Sequence, residues 1–125
     1  MNIPETLSYT KDHEWVRFDD DGRAVVGITE YAQHSLGDIV YVELPRIGTR
    51  IEAGETVATV ESVKAVSDVY APITGTVNNV NEELNDTPEL INEDAYKAWI
   101  VKLSDWEPGQ LLSAAEYAAL LEKES

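Results

Sequence analysis

Lys64 is the only lysine between Lys11 and Lys97, and it stands near the middle of a segment bounded by Gly54 and Gly75. Inside that segment valine recurs at 57, 60, 63, 66 and 69. Each step of three falls about 60° short of a helical turn, so these valines would sweep around a helix instead of forming a stripe. β-branched residues also favour strands. The segment therefore reads as a hairpin over about 54–75, with arms near 56–61 and 66–71 and Lys64 at the tip. The tip, Ser62-Val63-Lys64-Ala65, holds no Gly, Asn, Asp or Pro, residues that tight turns recruit. A lone lysine there is either a recognition target or an exposed charge that keeps a hairpin soluble. Composition and spacing alone favour the second reading.

Other reactive side chains are few. With no cysteine there is no disulfide, zinc–thiolate site or thiol nucleophile. His13-Glu14 has the composition of an acid–base pair, but neighbours on a strand point to opposite faces and do not converge on one atom. His13 and His34 are the only histidines, which with scattered carboxylates make a poor metal site. Asp19-Asp20-Asp21-Gly22 lacks the alternating acids and distant Glu of a calcium loop, and reads as a hairpin turn. The chain is expected to have no catalytic site of its own.

The elements that must position Lys64 are short. Glycines and prolines cut the chain into segments too brief for long helices. Between them lie Trp15 to Phe18, Ala24 to Ile28, Ile39 to Leu44 and Trp99 to Leu103, strand-like runs whose spacing argues for a sandwich or barrel. Thr29 is placed to cap a helix near 29–36, with Gly37 to end it. Ser113-Ala114-Ala115-Glu116 is a capping box for a C-terminal helix near 113–123. The acidic stretch from Glu82 to Asp94 reads as surface loop with a turn at Pro88.

At 125 residues, 43% hydrophobic and 26% charged, the chain is expected to be a single domain over 1–125. Nine Lys and Arg against 24 Asp and Glu give a net charge of -15. That sign disfavours nucleic acid and anionic membranes as partners. Met1-Asn2-Ile3-Pro4-Glu5 has neither the basic nor the apolar character of a targeting segment, so a cytoplasmic location is expected. The chain is also expected to be a monomer.

Glu61-Ser62-Val63-Lys64-Ala65-Val66-Ser67-Asp68-Val69-Tyr70-Ala71-Pro72, followed by Gly75, resembles the lipoyl-attachment segment of the glycine cleavage system H proteins. The resemblance continues through Tyr9 with His13-Glu14-Trp15, Gly27 to Gln33, Leu36 to Pro45, and Pro88 to Asn92 with Tyr96 and Trp99. Biotin carriers typically flank their lysine with methionine, and the only Met here is Met1. Lipoyl domains of 2-oxoacid dehydrogenases usually carry Asp-Lys-Ala where this chain has Val63-Lys64-Ala65. Lys97-Ala98 is shorter than the family's usual glycine-containing loop, and His34-Ser35 also departs from its pattern, so no function is carried onto His34.

The resemblance implies a mostly β barrel-sandwich hybrid of two antiparallel sheets. It implies a non-catalytic carrier whose Lys64 bears lipoate as an amide, with Ser62, Val63 and Ala65 as recognition context. Glu61 and Asp68, three residues before and four after Lys64, either register the tip in a ligase or partner pocket or are solvated hairpin charges. The implied partners are a pyridoxal-phosphate glycine decarboxylase, a folate-dependent aminomethyltransferase and a dihydrolipoamide dehydrogenase. Glu14 is implied as a contact for the amine of the loaded arm. The alternatives are another lipoyl or biotin carrier, or an unmodified interaction scaffold of the same fold.

Overall fold

The computed structural model describes residues 1–124. Two antiparallel sheets face each other. The larger contains β1 (Ser8–Tyr9), β2 (Glu14–Phe18), β3 (Ala24–Ile28), β5 (Arg50–Ile51), β8 (Gly75–Val80) and β9 (Val101–Ser104), in the order β1-β2-β3-β9-β8-β5. The smaller contains β4 (Ile39–Glu43), β6 (Thr56–Ser62) and β7 (Val66–Tyr70), in the order β4-β6-β7. Between the sheets, Val16, Val26, Val77, Val101 and Leu103 meet Ile39, Val42, Val57, Val60 and Val69.

All five residues of β3 are buried, because both faces of the larger sheet are covered there. Val26 belongs to the core between the sheets, whereas Val25 joins Leu7, Tyr9, Trp15 and Tyr117 beneath the C-terminal helix α4 (Ala114–Glu124). A strand covered on both sides reads as continuously apolar, as Ala24-Val25-Val26 does. Gly27 is required by packing. A Cβ there would lie 2.5 Å from the Trp15 indole, which is fixed by a hydrogen bond from Nε1 to the Ala95 carbonyl at 3.1 Å.

The expected caps form. Thr29 accepts from the Ala32 N–H at the start of α1 (Glu30–Leu36), and Gly37, at φ +80°, ends it. In α4 the capping box is reciprocal: Glu116 N–H donates to Ser113 Oγ, and Ser113 N–H to Glu116 Oε1. One expectation fails. The stretch from Glu82 to Asp94 is not all loop but contains two single-turn helices, α2 (Glu83–Asp86) and α3 (Leu90–Glu93), on either side of Pro88. Leu84 and Ile91 are buried and pin these turns to the core, an effect stronger than the polar composition around them. Strand β8 is a further element beyond the runs read from the sequence.

Of the five valines with period three, 57, 60 and 69 are buried, while 63 and 66 are exposed. The inward pattern on β6 is offset by a register shift between Thr56 and Ala58, which leaves Val57 and Ala58 both buried. The spacing is an accident of two strands, a bulge and a turn.

Candidate functional site

Lys64 is exposed at the turn joining β6 and β7, and Ser62 makes that turn. Its N–H donates to the Ala65 carbonyl at 2.8 Å. Its Oγ accepts from the N–H groups of Lys64 at 3.3 Å and Ala65 at 3.1 Å, and its hydroxyl also reaches the Ala65 carbonyl at 3.2 Å. One buried serine thus supplies the turn chemistry that Gly, Asn, Asp and Pro usually provide. Ser62 is therefore a structural member of the tip as well as a candidate recognition residue. The Val63 N–H donates to the Asp38 carbonyl at 3.0 Å, tying the tip to the segment after α1.

The Lys64 stem lies across the end of α1. A Cβ on Gly37 would sit 3.4 Å from Cε and 4.0 Å from Nζ. The Gly37 carbonyl is itself held by Asn92 Nδ2 at 2.9 Å, and the Asn92 Oδ1 accepts from the Ile39 N–H. Lys64 makes no ion pair among the described residues. Its amine is sterically open to acylation.

Glu61 and Asp68 are exposed on the two arms. Glu61 pairs with Val66 beside the turn, and Asp68 pairs with Thr59, whose hydroxyl reaches its Oδ1 at 3.4 Å. An apolar rim around them has no local signature in the sequence. Val63, Val66, Val40 and Tyr41 are all at least half exposed, and Tyr41 and Val66 flank Glu61 in register.

A second feature lies at the other end of β7. An open cleft of about 680 Å³ is lined by Thr10, Lys11, Glu14, Tyr70, Pro72 and Leu111, among others. Glu14 is only 2% exposed. Its Oε1 accepts a short hydrogen bond from the Thr10 hydroxyl, and its Oε2 accepts the Tyr70 N–H at 3.2 Å. Burial pushes its carboxyl up to about 7 against the pull of those two donors, and nearby Asp12 adds to the rise. A carboxyl so placed changes charge near neutrality and can accept a cation entering the cleft.

The structure brings Glu14 to the hairpin but not to Lys64, which is six strand residues away from Tyr70, or about 20 Å. His13 and Glu14 do diverge, but not as neighbours on a strand: His13 precedes β2 in a turn at φ +70°, its ring packed against Tyr31 and Tyr117, while Glu14 opens the strand and faces the cleft. His34 is exposed in the last turn of α1.

Residues 7–124 match the family model described as glycine cleavage H-protein. The chain is 53% identical to the glycine cleavage system H protein of Lachnoclostridium phytofermentans, over 99% of this chain and 98% of that one. It is 54% identical to the Klebsiella pneumoniae protein of the same name, over 98% of each. The crystal structure of a glycine cleavage system H protein from Mycobacterium marinum superposes with a TM-score of 0.90 at 42% identity, covering 96% of this chain and 99% of that one. The fold of two antiparallel sheets, short helices and a C-terminal helix matches that relative, and the chain belongs to the glycine cleavage H-protein family.

Proposed function

We propose that this protein is the lipoyl-bearing shuttle of a glycine cleavage system, with lipoate joined to Lys64 by an amide. The observation that carries the reading is Lys64 itself: an exposed amine, without an ion pair among the described residues, on a turn built by Ser62 and braced by Asp38. When bound, the lipoyl group would supply a dithiolane able to carry a one-carbon amine on sulfur, its reoxidation falling to the dehydrogenase partner. The chain's own task is presentation. Four unbranched methylenes carry the amine clear of the surface, and two paired strands hold the base of the arm still.

Its partners are a glycine decarboxylase, an aminomethyltransferase, a dihydrolipoamide dehydrogenase and a lipoate-attaching enzyme. Glu61, Val63, Ala65 and Asp68 form the exposed surface that the attaching enzyme reads, on a turn that the buried Ser62 shapes. Glu14 serves as the acceptor for the cationic amine in the cleft, where exclusion of water strengthens the contact. The absence of cysteine suits this work, because a neighbouring thiol would exchange with the lipoyl disulfide.

The test replaces Lys64 in a reconstituted system. Lys64→Ala and Lys64→Arg are expected to fold normally and to abolish carriage, the second because guanidinium does not form the amide. Glycine decarboxylation supported by either variant would contradict the reading.

A further inference from the structure

The turn before Glu14 is built around an unusual residue. His13 N–H donates to the Thr10 carbonyl at 3.2 Å, and Thr10 N–H to the Glu14 carbonyl at 3.0 Å, leaving Lys11, Asp12 and His13 as the loop. The third loop position requires a left-handed backbone and normally holds Gly or Asn. Here His13 adopts it, at φ +70°. A non-glycine residue persists in such a conformation only when its surroundings over-determine it.

Those surroundings come from three elements. The His13 carbonyl accepts the Thr29 N–H at 3.0 Å, at the cap of α1. Nδ1 lies 2.8 Å from Tyr117 Oη, which is 2.7 Å from Thr29 Oγ1, and Nε2 lies 3.2 Å from Glu124 Oε1. The ring centroid is 4.7 Å from that of Tyr31. A neutral imidazole satisfies the set: Nε2–H donates to Glu124, Nδ1 accepts from the Tyr117 hydroxyl, and that oxygen accepts from Thr29. Tyr117 is fixed in turn by stacking on Tyr9 at 4.7 Å. The loop's other side chains, Lys11 and Asp12, are exposed.

We propose that His13 is a positioning residue for the cleft. Its ring, clamped to α4 and to the α1 cap, holds the turn so that the next side chain, Glu14, is driven inward against Tyr70. The C-terminal helix thereby sets the geometry of a carboxylate on the opposite side of the strand. This rests on the reading of Glu14 as the acceptor of the cationic cargo. The charged and titratable groups involved are Glu124, Tyr117 and Tyr31 around His13, and Asp12 and Lys11 around Glu14.

The test uses His13→Asn, which tolerates the left-handed backbone but cannot span Tyr117 and Glu124, and Tyr117→Phe, which keeps the stacked ring and loses only the hydroxyl. Carbon NMR of the Glu14 carboxyl in the unmodified protein reads its titration. The midpoint, about 7 in the native protein, is expected to fall by about one unit in His13→Asn as water reaches the carboxyl, and by less in Tyr117→Phe. A lower melting temperature with an unmoved midpoint in both variants would mean that His13 is merely structural, and would overturn the proposal. In lipoylated, amine-loaded protein, His13→Asn and Glu14→Gln are both expected to lose the amine faster. Faster loss in Glu14→Gln but not in His13→Asn also overturns the proposal. If Glu14→Gln retains cargo normally, the Glu14 reading fails, and the midpoint alone still decides whether His13 positions the side chain.

Discussion

Glu14 and Tyr70 are 56 residues apart, yet the Glu14 carboxylate accepts the Tyr70 N–H at 3.2 Å. This bond joins the first long strand of one sheet to the last residue of the lysine-bearing hairpin in the other. It fixes the carboxylate at the hairpin's base while Lys64 stands at its tip. The two features proposed to serve one arm thus share one element.

Burial of Glu14 makes stability depend on pH in a defined direction. Its carboxyl is raised from 4.5 to about 7, so the native state binds the proton more tightly than the unfolded chain. The associated stability is fully present below pH 4.5 and lost as pH rises through about 7, a change on the order of 3 kcal/mol. Glu14→Gln, which cannot ionise, is expected to be more favourable relative to wild type at pH 8 than at pH 5. Urea unfolding at the two pH values checks this; an equal difference at both would remove Glu14 as the titrating group.

Ser62→Ala removes the acceptor for two turn N–H groups and one donor to Ala65. A loss of about 1–2 kcal/mol in stability is expected, together with slower lipoylation, because the lysine loses its fixed presentation. Lipoylation kinetics with the attaching enzyme check the second effect. A rate equal to wild type would confine Ser62 to folding.

Gly27→Ala places a methyl where the Trp15 indole already lies, 2.5 Å from the new Cβ. Trp15 is anchored by Ala95, so relief requires shifting a buried ring. The expected cost is about 1–3 kcal/mol, seen as a lower urea midpoint with an unchanged slope. Wild-type stability in this variant would show that the ring can move freely.

Asp38, Glu43, Glu61 and Asp68 are exposed on the segments beside and along the hairpin, within a chain of net charge -15. Docking of the large partners is expected to weaken with added salt, because attraction between exposed charges is screened beyond about 8 Å near 0.15 M. Michaelis constants measured across ionic strengths read this directly. Salt-independent values would assign docking to the apolar rim of Val40, Tyr41, Val63 and Val66.

The parts of the fold legible in the sequence were those encoded locally. Thr29 with Gly37, and Ser113 with Glu116, mark helix ends through hydrogen bonds spanning three or four residues. The hairpin was legible because β-branched residues fit strands and not the helix their period suggested. Helices α2 and α3 escaped notice because each is a single turn without a side-chain cap, stabilised by burying one residue. Strand β8 was hidden by Asn78 and Asn79 and by a register shift between Val77 and Asn79. Lys64 stood out by its isolation. The cleft did not, because Thr10, Glu14 and Tyr70 meet only through pairing of distant strands.

The central claim is that Lys64 carries lipoate, and intact mass with peptide mapping of the protein from its native host tests it most directly. The expected result is a lipoyl increment confined to the peptide containing Lys64. A biotin increment there, a lipoyl group on another lysine, or an unmodified Lys64 in cells actively cleaving glycine would contradict it.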